Sequence, residues 1–203
     1  MNTYHHGDLK NALIQAGIEI LSMNGIKGLS LRRVAKRAGV SHAAPYAHFT
    51  DKQALIAAIS TEGYKQLFSQ LKQIDQKYCN DPLRKLVEVA WCYLQFAVKD
   101  PAHFKITFSG VIEKEKDYPA FVEISKKSFA FITEMVVECQ TAEILPPGPA
   151  DLIAVHLWGS IHGLATLLIE DQLSSQVLEN YPLRQILLST INLMTEVEID
   201  PNF

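Results

Sequence analysis

The chain holds 203 residues, 48% apolar and 20% charged, with nineteen Lys and Arg against twenty-two Asp and Glu for a net charge of −3. These proportions suit one or two globular domains and exclude a low-complexity or collagen-like chain. Cys79, Cys92 and Cys139 stand far apart with no Cys-x-x-Cys pair, which speaks for neither a disulfide framework nor a zinc site. Along the chain, apolar residues recur at three-to-four spacing and nothing alternates in the manner of a strand. The expected fold class is all-α, with about nine helices near 8–24, 30–38, 42–49, 51–77, 82–99, 101–109, 119–141, 150–171 and 182–197. Asp81-Pro82 and Asp100-Pro101 read as helix starts, with Asp as N-cap and Pro at the first helical position.

The segment from Leu29 to Lys52 carries the clearest functional pattern. Ser30 can cap a first short helix whose Leu31, Val34, Ala35 and Ala38 share one face. Gly39 ends it where a left-handed backbone is needed. Val40 plugs the corner, and Ser41 can cap a second helix from His42 to about Phe49. Helix, glycine turn, helix is the helix-turn-helix arrangement, whose second helix enters the DNA major groove. Thr50-x-x-Gln53 reads as a capping box opening the next helix.

Ser41, Tyr46, His48, Phe49, Lys52 and Leu55 reproduce the spacing S-x-x-x-x-Y-x-H-F-x-x-K-x-x-L. This resembles the signature of the tetracycline-repressor (TetR/AcrR) family, and Ser30, Val34-Ala35 and Ala38-Gly39-Val40 fit the same family's second helix and turn. The match covers the first third of the chain. One departure is Pro45, where many members carry Leu or Ile; proline suits only the first turn of a helix, so a short recognition helix is expected.

Charge agrees with a DNA-facing end. Residues 1–52 hold seven Lys and Arg against three acids, a balance of +4, while residues 53–203 hold twelve against nineteen, −7. A basic end on an acidic body suits a protein that touches phosphate at one end. Ser30, Arg32 and Arg33 are candidate phosphate contacts, and Lys36 and Arg37 are expected to be solvated. Ser41, His42, Ala43 and Ala44 sit at the end that points toward base edges. The resemblance implies backbone contacts for Tyr46 and His48, and Lys52 can also reach phosphate. Phe49 is expected in the core. With few long polar side chains on the recognition helix, DNA shape should carry part of the specificity.

The helix 51–77 is expected to join a DNA-binding domain, residues 1–67, to a helical regulatory and dimerisation domain, residues 68–203. The segment Asp151 to Asp171 is apolar nearly all round, which calls for cover on every side. Leu157, Ile161, Leu164 and Leu168, with Leu183, Leu187, Ile191 and Met194 of the last helix, are the candidate homodimer interface; the resemblance implies two helices from each subunit. Gly159 and Gly163 would permit close approach. Trp158, His162 and Gly163 also resemble the WHG type of regulatory domain in this family. Trp91, Phe104, Phe108 and Phe129 are candidate walls of an effector pocket, although each is more often plain core. His162 reads first as a hydrogen-bonded core histidine and second as a ligand contact.

Leu152 to Ile169 is the nearest approach to a membrane span, but His156, His162 and two glycines lie within it, and a buried helix is expected, with no membrane partner. The opening Met-Asn-Thr-Tyr-His-His has no apolar run of a secretory leader, so the cytoplasm is the expected location. No glycine-rich phosphate loop, G-x-S-x-G or H-E-x-x-H occurs, and no enzyme activity, cofactor or metal is expected. The expected function is a homodimeric repressor, released from a palindromic double-stranded operator by an unknown small-molecule effector. The competing expectation is a DNA-packaging or adaptor protein on the same fold without a ligand switch.

Overall fold

Helices begin where a side chain satisfies the first unpaired amides. The computed structural model describes residues 6–203, with side chains from Leu9 onward. The opening Met1–His5, read above for a leader, lies outside the described residues. α1 spans His6–Gly28 and is broken at Gly25, whose φ of 62° only glycine adopts freely. α2 spans Leu31–Arg37, and Ser30 Oγ accepts from the Arg33 amide at 3.3 Å, as the capping pattern predicts. A 3-10 helix, Ala44–Ala47, follows. Then come α3, Lys52–Lys77, α4, Pro82–Lys99, and α5, Pro101–Phe108. Asp81 accepts from the Arg84 amide at 2.9 Å and Asp100 from the His103 amide at 3.1 Å, so both Asp-Pro starts are capped as expected.

A short 3-10 turn, Glu115–Asp117, precedes α6, Pro119–Thr141. α7 spans Ala150–Ile169, α8 Ser175–Asn180 and α9 Leu183–Asn192. Among the described residues all regular structure is helical, in agreement with the all-α expectation. The helix expected over 182–197 is shorter because the Asn192 side chain turns the chain back. Its Oδ1 accepts from the Ile199 amide at 2.8 Å and its Nδ2 donates to the Ile199 carbonyl at 3.1 Å. α8 was not expected from the sequence; at six residues it is too short to show a period.

The contacts divide the chain into two units. One comprises the residues up to Lys65 together with Asp100–Ser125, the other Gln66–Lys99 with Lys126–Phe203. The division cuts α3 near the expected boundary at residue 67, and it groups α5 and the start of α6 with the N-terminal helices. In the first unit, Leu13, Leu29, Val34, Phe49, Leu55, Ile59 and Ile106 form the core. In the second, α4 packs against α7 and α9, and α7 against α9, around Leu86, Leu94, Leu157, Leu187 and Leu188. Lys85 lies buried there between Asp75, at 2.8 Å, and Glu138, at 2.6 Å, which supplies the partners a buried ammonium requires.

Candidate nucleic-acid interface

α2 turns Leu31, Val34 and Ala35 inward and leaves Arg32, Arg33, Lys36 and Arg37 on the surface. Gly39 follows at φ 69°, and a Cβ built on it meets nothing within 4 Å, so the turn needs this glycine for its backbone and not for space. The Val40 amide donates to the Ala35 carbonyl at 3.0 Å and closes the corner.

The recognition segment differs from the α-helix expected over 42–49. Pro45 has no amide to donate and takes a first-turn position, and the chain winds instead as a 3-10 helix. The Tyr46 amide donates to the Ala43 carbonyl at 3.2 Å and the His48 amide to the Pro45 carbonyl at 3.0 Å. Ser41 does not cap it by its side chain; Ala43 holds the cap position. Pro45 and Phe49 anchor the segment in the core, Phe49 as expected. Ser41, His42 and Ala43 are exposed, Ala44 is half-buried, and Tyr46 projects with 61% of its surface open. Its phenol is open to solvent, where a backbone phosphate could meet it.

The cations around this segment fall into two groups. Arg33 is tied back to α1, donating to the Gly28 carbonyl at 2.9 Å and to Asn24 Oδ1 at 2.8 Å. Arg37, expected to be solvated, pairs with Glu19. Lys52 donates to the Ile26 carbonyl at 2.8 Å. All three brace the end of α1 and the helix-turn-helix. Arg32 and Lys36 are exposed, with no side-chain partner among the described residues. His48 directs Nε2 into the protein, where it finds no hydrogen-bond partner; a phosphate contact through that nitrogen requires the ring to turn. The Thr50–Gln53 capping box is not formed. Asp51 takes its place, its Oδ1 accepting from the Ala54 amide at 2.8 Å, while Gln53 Oε1 is buried without a partner.

The candidate pocket residues fall in both units. Phe104 and Phe108 belong to the first unit, ring against ring at 5.0 Å, and Tyr64 meets Phe108 edge-on at 5.0 Å and Phe121 at 5.7 Å. Burial, then the charge of Glu115, pushes the Tyr64 phenol up to about 12. Beside these rings α3 and α5 meet at Gly63, where a Cβ would stand 2.2 Å from Thr107 Oγ1 and 2.9 Å from His103 Nε2. Thr107 Oγ1 is buried there without a hydrogen-bond partner, and sequence reasoning missed it because a lone threonine on an apolar helix gives no signal. Trp91, Phe129 and His162 belong to the second unit. Trp91 lies under the Arg184 guanidinium, 5.4 Å from ring to cation, and His162 accepts or donates through Nδ1 to the Tyr93 hydroxyl at 2.8 Å.

The expected interface residues require correction. Leu157, Ile161 and Leu164 of α7, and Leu187 and Ile191 of α9, are buried in their own unit and cannot also cover a partner. Leu168, Leu183 and Met194 are half-buried. The open face of α7 is the opposite one: Leu152, Val155 and Leu167 are exposed, and Cβ atoms built on Gly159 and Gly163 meet nothing within 4 Å. α7 is thus long and apolar enough to cross a membrane by length and composition, yet one side packs on α4 and α9. It is not buried all round as the sequence suggested. Of the cysteines, burial pushes the Cys92 thiol up to about 11 and the Cys139 thiol up to about 12, and Cys79 is exposed.

A family model described as bacterial regulatory proteins of the tetR family matches residues 13–59, and one described as the tetracyclin repressor-like C-terminal domain matches residues 86–189. A curated relative, the uncharacterized HTH-type transcriptional regulator YobS of Bacillus subtilis (strain 168), is 22% identical over 169 residues, 81% of each chain. A solved protein of unknown function from Rhodococcus sp. RHA1 superposes with a TM-score of 0.77 at 29% identity, covering 95% of this chain and 96% of that one. Bacillus subtilis FadR, solved in complex with stearoyl-CoA, superposes with a TM-score of 0.71 at 19% identity over 94% and 99% of the two chains. With an N-terminal helix-turn-helix and more than half its length matching the regulatory-domain model, the chain belongs to the TetR family of DNA-binding transcriptional regulators.

Proposed function

We propose that the chain is a cytoplasmic, non-enzymatic repressor that binds a palindromic operator as a homodimer and is released by a small-molecule effector. The observation that carries this reading is the surface of the helix-turn-helix. Tyr46, His42, Arg32 and Lys36 project from a frame that Arg33, Arg37 and Lys52 brace. A short recognition segment binds DNA weakly alone, and pairing two of them on one duplex supplies both affinity and half-site spacing.

The open face of α7 supports the second copy. Two glycines in a helix interior cost about 0.5–1 kcal/mol each relative to alanine. Neither is needed for room inside its own subunit. A helix of a second copy crossing at Gly159 and Gly163, with Leu152, Val155 and Leu167 around them, gives those glycines a purpose and covers the apolar face. For the effector, the buried Thr107 hydroxyl, which faces Gly63 where α3 meets α5, is a polar group that a ligand with an apolar body would satisfy. The stearoyl-CoA held by FadR is a ligand of that general kind.

Selection from a random duplex library at near-physiological salt tests the reading. The expected product is an inverted repeat, whose complex then serves to screen effectors for release. No enrichment, with binding that only fades as salt rises, leaves the electrostatic contribution alone and favours a packaging or adaptor role.

A further inference from the structure

Two side chains of α7, Trp158 and His162, meet Tyr93 of α4 in a chain of hydrogen bonds. Trp158 Nε1 donates to the Tyr93 hydroxyl oxygen at 3.1 Å, and that hydroxyl lies 2.8 Å from His162 Nδ1. An indole N–H can only donate, so Tyr93 Oη accepts from Trp158, and the tyrosine's one proton can be given to His162 Nδ1. In that arrangement His162 Nδ1 accepts and the neutral ring carries its hydrogen on Nε2; the other tautomer would donate from Nδ1 to the second lone pair of Tyr93 Oη. Tyr93 itself is buried, so the chain of bonds ties α7 to the body of the second unit beside the face left open at Gly159 and Gly163.

We propose that Trp158, Tyr93 and His162 form a proton-gated latch, which holds α7 in the shape its open face presents to a second copy and opens when His162 takes a proton on Nδ1. The functional half rests on the homodimer reading above. A proton from solvent on Nδ1 places N–H against O–H. Tyr93 must then turn its own proton away from His162, inside a buried site, to accept from both neighbours. Burial already holds the His162 imidazole below its ordinary 6.5. The sign follows: the bond's contribution is present above that ordinary value and is lost as pH falls through the lower folded one.

On α4, Lys85 pairs with Asp75 and Glu138, Arg84 lies 3.9 Å from Glu88, and Lys99 stands in the last turn. On the same helix, Glu88 is bonded to Arg184 at 2.6 Å and the Cys92 thiol to Gln70 at 3.2 Å. On α9 the one charged residue is that same Arg184. On α7, His156 and Asp151 stand six and eleven residues from His162, about 9 and 16 Å along the axis, and Glu170 follows the helix end eight residues away.

The test pairs nitrogen-detected NMR of the histidine rings with sedimentation of the full chain at pH 7.5 and 5.5. The expected result is a neutral His162 with its hydrogen on Nε2 at pH 7.5, and a dimer about tenfold weaker at pH 5.5. Tyr93→Phe should abolish the tautomer preference and leave a weaker dimer with little response to pH. His162→Gln should also flatten the response, whereas His156→Gln should keep it. A His162 hydrogen on Nδ1 at pH 7.5, or a dimer constant that ignores pH, overturns the latch. So does a pH response that His156→Gln removes and His162→Gln retains. The expected tautomer in a chain that stays monomeric at both pH values overturns the dimer reading, and with it the functional half of this proposal.

Discussion

The helix-turn-helix and α7 expose their working surfaces in opposite ways. α2 is amphipathic, so Leu31, Val34 and Ala35 can face only inward and Arg32 and Lys36 only outward. α7 is apolar on both sides: Ala154, Leu157, Ile161 and Leu164 face the core, while Leu152, Val155, Gly159, Gly163 and Leu167 do not. Periodicity assigns the first helix and is blind on the second. A helix that reads as hydrophobic all round shows that both sides are to be covered, but not which side the subunit covers itself.

The sharpest way to break that contrast is one substitution in the covered core and one on the open face. Leu187→Asp places an unpaired carboxylate at a position with no exposure, and should cost about 4 kcal/mol of stability in urea unfolding. Gly159→Leu puts a bulky side chain where nothing stands within 4 Å, so the subunit should keep its stability while sedimentation shows a monomer. If Leu187→Asp folds normally and stays monomeric, α9 is interface after all and the assignment of faces reverses.

A smaller effect separates the two neighbouring arginines. Arg33→Ala removes the tie to Gly28 and Asn24 and should lower stability by about 1 kcal/mol. Arg32→Ala should leave the melting temperature unchanged and flatten the salt dependence of DNA binding by about one unit of slope. Equal slopes and equal stabilities would mean that the inward tie does not divide their roles. Of similar size, Asp51→Ala should cost about 1 kcal/mol by removing the α3 cap, whereas Thr50→Ala should cost little; the reverse order in thermal melts would restore the capping box.

Much of the molecule was legible in the sequence for stated reasons. Ser30, Gly39 and the two Asp-Pro starts act within a turn of themselves, so spacing alone places them. What escaped depends on contacts distant in sequence. Arg33 and Lys52 look like any surface cation until the end of α1 folds beside them. Asn192 ends α9 through a bond to Ile199 that no helical pattern announces. Pro45 did announce a short recognition segment, though not that it would wind as a 3-10 helix. Thr107 matters only because Gly63 comes close. Tyr93 matters only because Trp158 and His162 do.

The most direct measurement is the stoichiometry and spacing dependence of the DNA complex, by sedimentation on the selected duplex and on variants of it. Two chains per inverted repeat are expected, with binding lost when the half-sites are moved apart by about half a helical turn, near 5 base pairs. One chain per duplex, or affinity indifferent to that insertion, would contradict dimeric operator recognition.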